Sequence, residues 1–259
     1  MTEHSGPARP DSEAGRRERT AGFDAVVLAG GAASRLGGAD KPSVEIGGQT
    51  LLDAALAACT AARKTVVVGP RRAVGRSVVW TREEPAGAGP AAALAAGLAA
   101  RSDPGGRAVA DSPYVIVLAA DLPFIDAEVI HRLWTTITRS ADDPDPAGQP
   151  DGAVAVDESG RAQWLTACYR RSALLDRIHS FGPDRLAGLS LRRLLAGLRL
   201  AEVGIPARAA FDCDTWEQID QARAMDRGPA GGARAADDAD RDGGGGAHDG
   251  SGKQRGGKS

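Results

Sequence analysis

Between Phe23 and Met225, short apolar runs rich in Val and Leu alternate with longer Ala- and Leu-rich stretches at helical spacing. The runs lie at 25–29, 65–68, 77–80, 114–119, 152–156 and 165–169, and the spacing predicts helices over 52–62, 90–100, 126–138 and 215–225. Strands that are apolar almost without interruption are covered on both faces, and a strand, helix, strand order makes neighbouring strands parallel. The expected architecture is an α/β three-layer domain, a mainly parallel sheet with helices on both faces. Ligands of such sheets sit beyond the carboxyl ends of the strands. The segments after Ala29, Val68, Trp80 and Ala119 are therefore the places to look for chemistry. Thr50 with Asp53, and Asp214 with Glu217, have the three-residue offset of a capping box and mark two helix starts.

Outside this body the pattern stops. Residues 1–22 are rich in Pro, Gly, Ser, Arg and Glu and 226–259 in Asp, Gly, Ala and Lys, with the run Gly243 to Gly246, and both hold too little apolar surface to offset the entropy of ordering them. They are expected to be disordered tails around a folded unit at 23–225, and 142–150 to be a surface loop. The 259 residues carry 32 Lys+Arg against 34 Asp+Glu, a formal net charge of -2, which gives no reason to expect nucleic acid or a membrane surface as a partner. Cys59, Cys168 and Cys213 are odd in number and form no CxxC pair, so neither a disulfide framework nor a zinc site is expected and a reducing, cytoplasmic compartment fits. No stretch reaches the roughly 18–20 apolar residues of a membrane helix, and the charged N-terminal cluster at Arg16 to Arg19 does not read as a secretory signal.

Directly after the first apolar run stands Leu28-Ala29-Gly30-Gly31-Ala32-Ala33-Ser34-Arg35-Leu36-Gly37-Gly38-Ala39-Asp40-Lys41. No Gly-Lys-Ser/Thr closes it and its first glycines are adjacent, so it is neither a Walker A loop nor GxGxxG. Adjacent glycines let backbone N–H groups approach an anion, and Arg35 and Lys41 can neutralise phosphate oxygens from two sides. By residue chemistry alone the loop is also open to a reading as plain turns with solvated charges. The order Leu-Ala-Gly-Gly, three residues, Arg, a large apolar residue, Gly, two residues, Asp-Lys resembles the phosphate loop of the molybdenum cofactor guanylyltransferases. These are single-domain, Rossmann-like members of the wider nucleotidyltransferase family. Leu36 stands where Met is more usual, and Gly30-Gly31 favours this branch over relatives with Leu-Ala-Ala-Gly.

The resemblance implies that Leu28, Ala29, Gly30, Gly31 and Lys41 bind GTP, with Arg35 and Lys41 as the catalytic cations. Asp121 follows the run 114–119 and precedes Pro123. Alone it could be a turn-forming residue, but the family's Asp-x-Pro element implies a magnesium ligand, and Mg²⁺ takes one or two carboxylates together with phosphate oxygens and water. The segment 210–217 resembles a late family element with alternating Asn or Asp before Thr-Pro-Glu, which implies Asp212 as a second ligand. Asp214 is open between that role and the N-cap of the last helix, and Trp216 replaces the Pro. Guanine presents N1–H and N2–H together, which one carboxylate can accept, and the resemblance implies Glu84 as that reader; Glu83 beside it and Glu84 itself also read as solvated loop charges. Some relatives carry an Asn on the base where this chain has Gly69. Arg170 and Arg171 could meet a pterin phosphate or be a surface pair at a strand end.

The implied reaction transfers GMP from GTP to molybdenum-molybdopterin with Mg²⁺, releasing pyrophosphate, with molybdoenzyme maturation proteins as possible further partners. Cytidylyl transfer to the same acceptor, or a noncatalytic nucleotide-binding role in molybdoenzyme maturation, are the alternatives.

Overall fold

The computed structural model of the chain describes residues 22–31, 36–101, 110–139 and 148–228. Arg35, most of the expected loop at 142–150 and nearly all of the expected tails lie outside the described residues. Seven strands form one sheet: β1 (Asp24–Leu28), β4 (Thr65–Val68), β5 (Val79–Thr81), β6 (Tyr114–Ala119), β7 (Gly152–Val156), β8 (Ala162–Arg170) and β9 (Leu200–Gly204). Their order is β5-β4-β1-β6-β8-β7-β9. β8 runs antiparallel to both β6 and β7, and every other pairing in the sheet is parallel. β2 (Glu45–Ile46) and β3 (Gln49–Thr50) form a separate hairpin. Its turn residues Gly47 and Gly48 both have positive φ, 62° and 80°, as a two-residue type I′ turn requires.

The period of two along the strands sorts side chains into two layers. Ala25, Val27, Val67, Ile116 and Leu118 pack with α1 (Leu51–Ala58) and α3 (Ala127–Arg139). Val26, Leu28, Val66, Val68, Val115 and Val117 pack with α2 (Pro90–Ala99), α4 (Arg171–Phe181) and α5 (Leu191–Leu195) on the other face. The expected three-layer domain is thus the one formed. α6 (Trp216–Asp226) covers a smaller cluster of Leu36, Ile46, Leu51, Cys213, Ile219 and Ala222, which joins the end of the Gly-rich loop to the last helix. Among the described residues no helix is long and apolar enough to cross a membrane.

Several boundaries differ from expectation. The helix expected over 52–62 ends at Ala58, and α4, α5 and β9 were not expected at all. α4 follows β8 without a break, Arg170 being both the last strand residue and the helix N-cap, so no loop signal separates the two. β9 is an edge strand whose only buried residue is Val203, so it lacks the continuous apolar run that marks the inner strands. At α6 the capping box belongs to Thr215 and Gln218 rather than Asp214 and Glu217: the Thr215 side chain accepts from Gln218 N, and Gln218 accepts from Thr215 N. Asp214 is thereby released from capping.

Candidate active site

The four strands β5, β4, β1 and β6 are consecutive in the sheet and parallel, so the loops at their carboxyl ends meet along one edge. Gly30 and Gly31 follow β1, Gly69 follows β4, Arg82 and Glu83 follow β5, and Asp121 stands two residues past β6. The first three loops and Asp40 enclose a cleft of about 460 Å³, within the range of small-molecule sites. Gly31 has φ 126°, with no heavy atom within 4 Å of where a Cβ would stand. Gly69 is the tightest point: at φ 148° a Cβ there would lie 2.7 Å from Ala29 O and 2.8 Å from Ala29 C, so no side chain fits. The Asn that some relatives carry here is excluded by backbone contact.

The inner wall of the cleft ends on Glu83, only 7% exposed. Gly87 N donates to its Oε1 at 3.0 Å, while Oε2 is buried and accepts no hydrogen bond. An unmet buried acceptor is costly and suits a donor supplied by a ligand. Glu84 is exposed and is not part of the lining. Of the two neighbouring carboxylates it is thus Glu83, held by Gly87 N, and not the expected Glu84, that lines the cleft.

At the other end of the cleft Asp40 leads into the short 3-10 turn Lys41–Ser43. Lys41 Nζ lies 2.9 Å from Asp121 Oδ2 and 2.6 Å from Asp214 Oδ1. Two loops are thereby joined, and Cys213 N, donating to Asp121 O at 3.1 Å, joins them again through the backbone. Burial by itself would lower the lysine pKa, but the Asp121 charge and the hydrogen bonds to Asp214 and Asp121 outweigh it and hold the ammonium above its ordinary 10.5. Asp212 stands beside this pair. Burial, then the charges of Asp214 and Asp121, push its carboxyl above the usual 3.8. Three carboxylates therefore share one ammonium. Among the described residues no group of three or more His, Cys, Asp or Glu is arranged to hold a metal on its own. Burial pushes the Cys213 thiol up to about 12, so it is no thiolate nucleophile.

The expected residues fall into three groups. Gly30, Gly31, Lys41, Asp121 and Asp212 lie at this edge of the sheet, with Asp214, rather than Asp212, opposite Asp121 across Lys41. Leu28 and Ala29 support the floor from beneath: both are buried, Leu28 O accepts from Ala120 N at 3.0 Å and Ala29 N donates to Val68 O at 2.9 Å. Arg170 and Arg171 are at the opposite edge, since β8 is antiparallel and Arg170 pairs with Tyr114 at the start of β6. Arg171 Nη2 meets the buried Asp24 carboxylate at 2.6 Å. Unforeseen from the sequence is the two-pronged contact of Arg72 with Asp40, at 2.8 and 2.6 Å, which lies across a separation of 32 residues.

The family model of the MobA-like NTP transferase domain matches residues 25–203, well over half of the chain and all four site-bearing strands. The chain belongs to this family. A molybdenum cofactor guanylyltransferase of Shewanella loihica is 30% identical over 135 residues, 50% of this chain and 63% of that protein. One from Shewanella woodyi is 26% identical over 165 residues, 61% and 74% of the two chains. The match to the first of these relatives thus spans less than two thirds of its length. Among solved structures, molybdopterin-guanine dinucleotide biosynthesis protein A from Archaeoglobus fulgidus superposes with a TM-score of 0.56 at 20% identity, covering 78% of this chain and 98% of that one. A 2-C-methyl-D-erythritol 4-phosphate cytidylyltransferase from Thermus thermophilus gives 0.55 at 21%, covering 80% and 99%. The fold is that of the nucleotidyltransferases.

Proposed function

We propose that this member of the family transfers the guanylyl group of GTP to the terminal phosphate of molybdenum-loaded molybdopterin, forming the guanine dinucleotide cofactor and pyrophosphate. The observation that carries the reading is Lys41, held between Asp121 and Asp214 and next in the chain to Asp40, which lines a cleft that also has two adjacent glycines and an unmet buried carboxylate oxygen in its lining. Guanine fits the deep end, where Glu83 Oε2 accepts a hydrogen from N1–H or N2–H. The phosphates then run past Gly30 and Gly31 toward Lys41.

The acceptor needs no general base. A phosphate monoester has a second pKa near 6 and is largely dianionic at neutral pH, so its oxygen forms the new bond to the α-phosphorus directly. The bond from that phosphorus to the bridging oxygen breaks, and its electron pair leaves with pyrophosphate. The protein aligns two anions and stabilises the leaving charge, the task of Lys41 and of Arg35. Asp121 and Asp214, with Asp212 beside them, would hold Mg²⁺. They are hard oxygen donors whose negative charge exceeds the one ammonium among them, and two protein carboxylates suffice for Mg²⁺ when phosphates and water complete its shell. Bound there, the ion supplies charge neutralisation on the phosphates.

The test is pyrophosphate release by the purified protein with Mg²⁺ and molybdenum-loaded molybdopterin, with GTP, CTP, ATP and UTP offered separately and a control lacking acceptor. Release from GTP that requires the acceptor is the expected result. Preference for CTP would make the chain a cytidylyltransferase, and no release from protein shown to bind nucleotide would assign it a noncatalytic role.

A further inference from the structure

The cleft offers the base a second reader. Arg82 and Glu83 are consecutive residues just past β5, and both line the cleft. Their hydrogen-bonding characters are opposite, a guanidinium that only donates beside a carboxylate that only accepts. Glu83 is fixed in place by Gly87 N, with one oxygen left to accept. Arg82 is exposed and, among the described residues, makes no hydrogen bond or ion pair. The other arginine of the cleft is committed: Arg72 is held by both oxygens of Asp40 and by Pro70 O at 2.9 Å. Gly69 leaves no room for a side chain on the β4 side. Reading of the base therefore falls to the loop after β5.

On guanine the acceptors N7 and O6 and the donors N1–H and N2–H follow one another along one rim. A guanidinium fork matches N7 and O6, whereas adenine puts N6–H₂, and cytosine N4–H₂, where O6 would be, opposing donor to donor. We propose that Arg82 is a specificity-determining residue of the nucleotide site, binding N7 and O6 of guanine while Glu83 takes N1–H and N2–H. The inference rests on the guanylyl reading above and adds to it the means by which a pyrimidine or adenine base is refused.

The test is competitive binding of GTP, 7-deaza-GTP, ITP and CTP to the full chain with Mg²⁺. 7-deaza-GTP lacks the N7 acceptor and ITP lacks the N2 amino group, so the two analogues report on Arg82 and Glu83 separately. Wild-type protein is expected to prefer GTP over 7-deaza-GTP by about tenfold, part of the discrimination that a bidentate arginine contact provides. Arg82→Ala should bind these two alike yet still discriminate against ITP. Glu83→Gln should show the reverse pattern. Because Arg82 is exposed and makes no hydrogen bond or ion pair among the described residues, its variant is expected to melt with the wild type. An Arg82→Ala protein that keeps the wild-type preference for GTP over 7-deaza-GTP, or a wild type with no such preference, overturns the inference while leaving guanylyl transfer standing. Tighter binding of CTP than of GTP by the wild type overturns both.

Discussion

Lys41 is where the electrostatics of the site converge. Its ammonium lies within 3 Å of Asp121 and Asp214, and in the proposed guanylyl transfer the same group stabilises the departing pyrophosphate. A group that acts on charge developing in the transition state lowers turnover more than ground-state affinity when removed. Lys41→Ala is therefore expected to reduce kcat by about 10²–10³-fold, with a much smaller change in the Kd for GTP; equal losses would make the lysine a binding residue only. Asp212 gives a second prediction, on stability. Its carboxyl titrates above 3.8 in the folded protein because burial and the Asp214 and Asp121 charges oppose ionisation. The folded state thus holds this proton more tightly than the unfolded chain, and the charged form costs stability as pH rises through the folded pKa. In metal-free buffer Asp212→Asn should raise Tm at pH 7, and the gain should shrink as pH falls toward 3.8 and vanish below it. A Tm difference independent of pH would place the effect elsewhere than in this ionisation.

Among the elements, α2 shows how closely a helix must approach this sheet. In an ordinary helix interior Gly→Ala stabilises by about 1 kcal/mol. At Gly97 a Cβ would stand 2.5 Å from Val26 Cγ1 and 3.0 Å from Val68 Cγ2, atoms of stiff side chains in the β1 and β4 core. Gly97→Ala is accordingly expected to reverse the usual sign and cost ~1–3 kcal/mol, measured by urea unfolding; a stabilised variant would show that α2 can move outward. The start of α6 links local structure to the site in another way. Thr215 and Gln218 form the capping box of the helix, and the Asp214 carboxylate pairs with Lys41 instead. The Thr-x-x-Gln spacing is present in the sequence beside the Asp-x-x-Glu one, and Gln218 Oε1, accepting from both Asp214 N and Thr215 N, decides between them.

For the whole molecule, the two edges of the sheet have separate duties. One edge holds the cleft, while at the other edge the buried Asp24 carboxylate binds Arg171 Nη2 at 2.6 Å and Ser112 N at 2.9 Å, tying β1 to the start of α4 and to the segment before β6. Removing one partner of a buried pair leaves an uncompensated charge, at a cost of about 3–5 kcal/mol. Arg171→Leu should lose that much in urea unfolding yet bind GTP with unchanged Kd, since the ion pair lies at the far ends of β1 and β6 from the nucleotide. A weakened GTP affinity in the folded variant would mean that the two edges are coupled.

The six apolar runs with their intervening helical stretches were enough to determine the layered sheet, and 114–119 and 152–156 agree with β6 and β7 to the residue. Hydrophobic periodicity is a local property, so it is legible without a fold. The Gly-rich loop and the Asp121 turn were legible for the same reason, being contiguous motifs beyond strand ends. Which carboxylate faces which cation was decided by tertiary structure alone. Asp121 and Asp214, far apart in the chain, meet only because Lys41 and the Cys213–Asp121 hydrogen bond bring two loops together. Glu83 rather than Glu84 lines the cleft, its Oε1 held there by Gly87 N. Arg170 and Arg171 stand apart from the site because β8 alone runs against its neighbours. Side-chain direction and strand polarity are consequences of long-range pairing, and no window of sequence contains them.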